Sequence, residues 1–214
     1  MALSKDWLLK NVRGILRTLC NKLSLNDIED LVLNDFIHLS VCSIAEQLNA
    51  GAYPDYGTTV TPTTTGAIPV FTIDLSTYRI ESITKLSDAT NGEVIKKDVH
   101  EIENVLNIPQ GASNVYYNIY GNTMYLRSGS AVSALGALTL SYIRTPTKAT
   151  ADTDYIDLRD KYMDLLVAQA KIMVYEQSSE NPPEALLQAV QNNIATIRKN
   201  NISELQAIKA KEAK

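Results

Sequence analysis

The sequence predicts an α+β protein: a four-helix bundle, made of two N-terminal and two C-terminal helices, with a small antiparallel β domain inserted between the pairs. The prediction rests on three observations. Apolar residues recur at three- and four-residue steps near both ends of the chain, they alternate in the middle, and turn-forming residues separate the two regimes. The expected organisation is an N-terminal helical hairpin over 1–50, a Thr/Pro/Gly-rich loop over 51–67, the inserted β domain over 68–147, helices completing the bundle over 148–200, and a C-terminal arm over 201–214.

From Ser4 to Leu23, Leu8, Val12, Ile15, Leu16, Leu19 and Leu23 mark one helical face. Ser24 offers an N-cap to a second helix, with Asp27 at the acidic third position. Ile28, Leu31, Val32, Phe36, Leu39 and Cys42 carry its apolar face toward a stop at Asn49-Ala50-Gly51. The stretch from Gly51 to Ala67 is rich in Thr, Pro and Gly, has one charge and shows no period, so it reads as an exposed loop.

Strand signals follow at Val70 to Leu75 and Arg79 to Leu86, with a turn at Asn91-Gly92 before Glu93 to Lys97. Asp98 to Leu106 reads as a helical turn capped by Asp98. The clearest hairpin joins Val115–Tyr120 to Thr123–Arg127 through Gly121-Asn122, because Gly-Asn supplies the positive φ angles of a tight turn. Ala137 to Arg144 alternates and stops before Pro146. These strands are expected to form one small, mostly antiparallel sheet.

Helical spacing returns after Thr150, with Leu158, Tyr162, Leu165, Leu166, Ile172 and Met173 on one face. Pro182 and Pro183 fit the first turn of a fourth helix faced by Leu186, Leu187, Val190, Ile194 and Ile197. At Asn200-Asn201 the pattern shifts by one residue, which predicts a bend or a loosened end there and an arm leaving the body.

Composition narrows the function. The chain has 214 residues, 45% of them hydrophobic and 21% charged, enough for a self-sufficient core. A net charge of −4 argues against gripping DNA or anionic membrane by bulk charge. No secretion signal and no membrane span is expected, and Cys20 and Cys42 read as buried free thiols.

Catalytic signals are weak: phosphate-binding Gly-rich loops, nucleophile elbows and zinc-protease motifs are all missing from the sequence. No catalytic residue, no cofactor and no metal is therefore predicted. His38 and His100 lack partners at ligand spacing. Asp157, Asp160 and Asp164 would share a helical face and could gather oxygens around a cation, but carboxylates near a helix start are read more simply as complementing its dipole. DATNGE, from Asp88 to Glu93, reads as a turn. Tyrosine is abundant, 11 against 2 Phe and 1 Trp, and Tyr116, Tyr117, Tyr120 and Tyr125 are candidate subunit-contact aromatics as well as good strand formers. Arg198, Lys199, Lys209, Lys211 and Lys214 give the chain end a basic excess, read either as helix C-terminal charge bias or as a docking arm.

Tyr117-Asn-Ile-Tyr-Gly-Asn-Thr-Met-Tyr-Leu-Arg127, then Leu138-Thr-Leu-Ser-Tyr-Ile-Arg-Thr-Pro146, then Asp154-Tyr-Ile-Asp-Leu-Arg-Asp-Lys-Tyr162 together resemble the head-to-tail adaptor proteins of tailed bacteriophages. These are also called connector, head-completion, ring or tail tubular proteins, and the short-tailed and crAss-like phages are the most similar in pattern. The order of elements resembles that family across nearly the whole chain. The resemblance implies a structural virion protein, not an enzyme, made in the host cytoplasm and placed in the neck. It implies a homo-oligomeric ring, commonly a dodecamer, below the portal protein and in contact with other neck and tail rings. Such a ring extends the channel through which genomic DNA passes without sequence specificity, and its C-terminal arm docks on the portal. The Thr-rich stretch over 51–67 is longer than the family pattern. The alternative from another class is a glycan- or ligand-binding module of a tail or surface protein that uses the Tyr-rich β face.

Overall fold

The computed structural model describes residues 7–20, 28–49, 56–97 and 113–212. The protein is mixed α+β, with four α-helices and two β-sheets among these residues. It divides into two compact units, one formed by residues 1–55 with 146–214 and the other by residues 56–145.

In the helical unit, α1 spans Leu9–Leu19, α2 Asp30–Asn49, α3 Met163–Gln177 and α4 Glu184–Glu212. All four contribute to one core: Leu9, Val12 and Leu16 from α1, Ile37, Val41, Ile44 and Leu48 from α2, Leu166 and Ala170 from α3, and Val190 and Ile197 from α4. α3 touches each of the other three helices. That central place explains why apolar side chains surround it instead of marking one stripe. The two halves of the unit are also tied outside the helices, where Leu9 N–H donates to the Asp154 carbonyl at 2.9 Å and Ile156 N–H to the Trp7 carbonyl at 3.1 Å.

Several expectations change here. The buried face of α2 is Leu33, Ile37, Val41, Ile44 and Leu48, while Leu31 and Leu39, expected inside, are exposed. Leucines and isoleucines occur all round this helix, so spacing alone offers two stripes and packing selects one. Leu19 of α1 is likewise exposed. α3 starts at Met163, after a 3₁₀ turn at Asp160–Tyr162, so Leu158 enters the core from a bend that precedes the helix. Pro182 and Pro183 precede α4, and the Pro183 carbonyl accepts the amides of Leu186 and Leu187. α4 runs through Asn200 and Asn201 without interruption, so the predicted bend is not formed and 201–212 continues the helix. The proposed caps Ser24 and Asp27, and the turn at 98–106 with His100, lie outside the described residues.

The β unit holds two sheets instead of one. β1 (Gly57–Val60), β9 (Leu138–Arg144), β4 (Ile80–Asp88) and β5 (Gly92–Glu93) form the first in that order. β2 (Thr65–Ala67), β3 (Val70–Asp74), β8 (Thr123–Ser128), β7 (Val115–Tyr120) and β6 (Ile95–Lys96) form the second. Every pairing is antiparallel except β6 with β7. Both sheets feed one core, with Leu86, Leu138, Leu140 and Tyr142 from the first and Ile73, Val115, Tyr117, Met124 and Leu126 from the second. Gly121, at φ 58°, makes the tight β7–β8 turn that Gly-Asn predicts.

The 51–67 segment is not all loop, since it contributes β1 and β2. Thr58 pairs with Tyr142 and Val60 with Leu140, while Thr65 and Thr72 face each other with hydroxyls 2.7 Å apart. β-branched threonine suits a pleated strand once a partner is present, and the partner is more than eighty residues away in sequence.

Candidate functional site

Asp152, Asp154 and Asp157 are built into separate structural ties. Asp154 Oδ2 accepts the amides of Thr150 and Ala151, both at 2.8 Å, and those bonds hold its carboxyl below the ordinary carboxylate range. Asp157 Oδ2 accepts the Thr147 amide at 2.7 Å. Asp152 pairs with Arg13, which also pairs with Asp30 at 2.9 Å. Asp30 in turn accepts from Arg17 at 2.7 Å, and this bond, with the Arg13 charge, holds its carboxyl low. Asp157 precedes the 3₁₀ turn, so Asp157, Asp160 and Asp164 do not share the helical face the sequence suggests. Among the described residues no three His, Cys, Asp or Glu side chains gather as metal ligands. His38 Nε2 lies 3.7 Å from Cys42 Sγ one turn along α2. Cys20 is buried, as expected, and Cys42 is half-buried.

The four candidate aromatics separate by strand parity. On β7, Tyr117 points with Val115 and Ile119 into the core, where it is 8% exposed and burial pushes its phenol up. Tyr116 faces the other side but is also buried, with the Lys97 ammonium 5.9 Å from its ring centre. Only Tyr120, at 72%, and Tyr125, at 38%, remain open as contact residues. Tyr125 stands opposite Asn118, and Asn118 Nδ2 donates to the Lys97 carbonyl. On the same outer face, Arg127 lies opposite Tyr116, and its Nε and Nη1 are buried without a hydrogen-bond partner.

The basic candidates lie along α4. Arg198 Nε donates to Gln47 Oε1 at 2.8 Å, which fixes it to the last turns of α2, while Lys199 is exposed. Lys209 and Lys211 fall in the last turns of the helix, and Lys214 lies outside the described residues. A hollow of about 740 Å³ follows Ile194, Arg198, Ile202 and Gln206 at four-residue steps, with Ile202 exposed. Leu31, 71% exposed, and Leu39 stand outward on α2 with the exposed Asp35 between them, on the stripe that spacing reads as buried. The signal was present as a second leucine stripe, but nothing in the sequence tells which stripe packs inward.

Outward leucines, open tyrosines and a long helix with an apolar and cationic face are equipment for holding other macromolecules, the class to which virion assembly proteins belong. The comparison with known families gives that class a definite member: the chain matches the family model described as SU10 adaptor protein over residues 6–209 and belongs to that family. It is a phage adaptor family, so the chain is a structural adaptor and a component of the phage particle. No curated protein matches the sequence. No helix among the described residues is long and apolar enough to cross a membrane.

Proposed function

We propose that the protein forms a ring below the portal, extends the DNA channel out of the head and offers the platform on which the tail is mounted. The observation that carries this reading is the adaptor family match across nearly the whole chain. The exposed faces support it. In a closed ring each subunit buries two different surfaces against its neighbours, and the outward leucines of α2 and the open tyrosines of β7 and β8 supply apolar area for such contacts. α4 suits docking on the portal: Ile194 and Ile202 with Arg198 and Lys199 line one apolar and cationic stripe of the helix, of the kind that lies in a partner's groove. Protomers with small separate faces join weakly alone, and a symmetric portal raises their effective concentration until the ring closes.

Copy number in purified particles tests the reading. Quantitative peptide mass spectrometry scaled to the major capsid protein is expected to give about a dozen copies, as a symmetric neck ring requires. Hundreds would place the protein in the shell, and none would remove it from the neck. The glycan-binding alternative keeps only two of its four aromatic rings, since Tyr116 and Tyr117 are buried.

A further inference from the structure

The β unit contains a cavity that the adaptor role does not use. It has a volume of about 550 Å³, within the usual range for small-ligand sites. Its walls come from the turn after β3 (Leu75, Ser76, Arg79), the start of β4 (Ile80 to Ile83), Lys96 of β6, Tyr117 and Ile119 of β7, and the Gly121-Asn122 turn. The lining mixes the apolar side chains of Leu75, Ile80, Ile83 and Ile119 with polar and charged ones. Two cations, Arg79 and Lys96, stand against one carboxylate, Glu81, which is engaged in an interaction of its own. Neither Arg79 nor Lys96 has a side-chain hydrogen bond or ion pair among the described residues.

Two further features point the same way. Arg79 has a φ of 50°, in the left-handed region that a long side chain rarely occupies. Its carbonyl accepts the Thr145 amide at 2.9 Å, which holds the residue in place. Glycine or asparagine would meet that backbone demand at lower cost, so the arginine pays in conformation for a guanidinium delivered to the cavity. The second feature is Tyr117, a phenol that is 8% exposed and whose hydroxyl has no hydrogen-bond partner among the described residues. Tyr117 lines the cavity, so its hydroxyl is open to a group bound there and can donate to it.

We propose that this cavity binds a carboxylate carried on an apolar stem, with Arg79 and Lys96 holding the charge, the Tyr117 hydroxyl donating to it, and Leu75, Ile83 and Ile119 enclosing the stem. The planar guanidinium matches a carboxylate in two parallel hydrogen bonds, and the apolar side chains of the lining select against bare inorganic anions. The carboxylate comes either from a free small acid or from an acidic side chain of a second polypeptide copy. The inference does not depend on the adaptor reading, because it rests on the cavity alone.

The test uses the full-length chain, with amide correlation spectra recorded during titration by sodium 4-phenylbutyrate, by 4-phenylbutanol and by inorganic phosphate. Saturable shifts are expected for the acid at residues 75–83, Lys96 and 117–122, with the alcohol and phosphate at least 10-fold weaker. Arg79→Asn keeps a residue that tolerates the left-handed backbone, so its thermal midpoint should hold or rise while affinity for the acid falls at least 10-fold. Lys96→Gln should weaken binding in the same direction. Sedimentation velocity separates the two sources: self-association that both Arg79→Asn and 4-phenylbutyrate reduce assigns the carboxylate to a second copy, and unaffected association assigns it to a free acid. Absence of saturable shifts, equal binding of acid and alcohol, phosphate binding as tightly as the acid, or undiminished binding by Arg79→Asn would each overturn the proposal.

Discussion

Replacing Asp88 by alanine is expected to unfasten the loop between β8 and β9 and to destabilise the β unit. The carboxylate is 3% exposed and accepts four hydrogen bonds from three backbone amides. Oδ1 takes Thr90 N–H at 2.7 Å and Asn91 N–H at 2.8 Å, and Gly136 N–H lies 3.1 Å from Oδ1 and 3.0 Å from Oδ2. Gly136 is forty-eight residues away in sequence, so this one side chain closes a long loop onto the turn after β4. Asn91 Nδ2 adds a bond to the Ala134 carbonyl at 2.9 Å. The close fit leaves no room for a larger residue. A Cβ on Gly136 would sit 2.5 Å from Thr90 Oγ1 and 2.8 Å from Thr90 N.

A hydrogen bond to a charged acceptor contributes about 1.5–3 kcal/mol net, and an amide left buried without a partner costs about 1–3 kcal/mol. Thr90 is exposed, so water can restore part of the loss at the turn, whereas the half-buried Gly136 amide loses its partner while the Asn91–Ala134 and Ala89–Ala137 bonds and buried Val132 still hold the loop. The expected cost of Asp88→Ala is therefore about 3 kcal/mol, or a fall of roughly 10 °C or more in the midpoint of a unit this size. Asp88→Asn keeps one acceptor oxygen and should cost about half as much. Gly136→Ala should cost about 1–3 kcal/mol by overpacking. Thermal unfolding followed by circular dichroism gives the midpoints, and hydrogen exchange of peptides covering 88–92 and 129–137 localises the effect. The double variant should cost less than the sum of its parts, because both changes break the same contact. A shift under 0.5 kcal/mol in Asp88→Ala, with the Gly136 amide still protected, would show that the loop is held by something else.

Leu31→Glu and Leu39→Glu should leave the thermal midpoint nearly unchanged, because both side chains already face solvent, yet reduce incorporation into particles in a complementation assay. Ile37→Ala on the opposite face of α2 should instead cost about 2–5 kcal/mol, read by urea unfolding. Acid should destabilise the fold through Asp30, Asp74 and Asp154, whose carboxyls are held low by Arg17, by the Ser76 amide and by the Ala151 and Thr150 amides respectively. A folded-state value below the unfolded one supplies stability above about pH 4 that is lost as pH falls through the folded value, so a pH series of unfolding midpoints should drop below pH 4, and drop less in Asp154→Asn, which leaves Asp30 and Asp74 titrating. A thiol reagent should label Cys42 well before Cys20, since Cys20 is buried and burial, only partly offset by Lys171, pushes its thiol up; mass spectrometry of the labelled peptides reads the order.

Local grammar carried most of the elements into view. The β7–β8 hairpin follows from alternation around Gly121-Asn122, and the strands at 70–74 and 138–144 fall within a residue or two of their predicted limits. What failed depended on partners that periodicity does not name. β1 becomes a strand because β9, far along the chain, lies beside it, and β2 because it pairs with β3 across the short turn that follows. The single expected sheet became two because alternation shows that a strand has an inner face without saying which sheet lies opposite. α4 continues through Asn200-Asn201 because two asparagines cost less in a helix of 29 residues than a break would gain.

The candidate site was less legible than the fold, for a related reason. A residue type suggests what a side chain can do, while its role depends on what covers it. Tyr116, Tyr117, Tyr120 and Tyr125 look alike in sequence, yet two are buried and two are open, a division set by the faces of β7 and β8 and by what lies over each. Asp157, Asp160 and Asp164 offered a cation site only if helical spacing put them on one face, but Asp157 lies before the 3₁₀ turn and accepts the Thr147 amide instead. Arg79 and Lys96 were invisible as a pair, seventeen positions apart on different strands, until the turn after β3 and the edge strand β6 brought both to one cavity. A chain that works by contact distributes its function over such outward positions, and single-sequence periodicity, which detects burial, says least about them. The family match identifies a phage adaptor, and the exposed leucines of α2 and the open tyrosines of β7 and β8 are the positions at which the proposed ring contacts are to be tested.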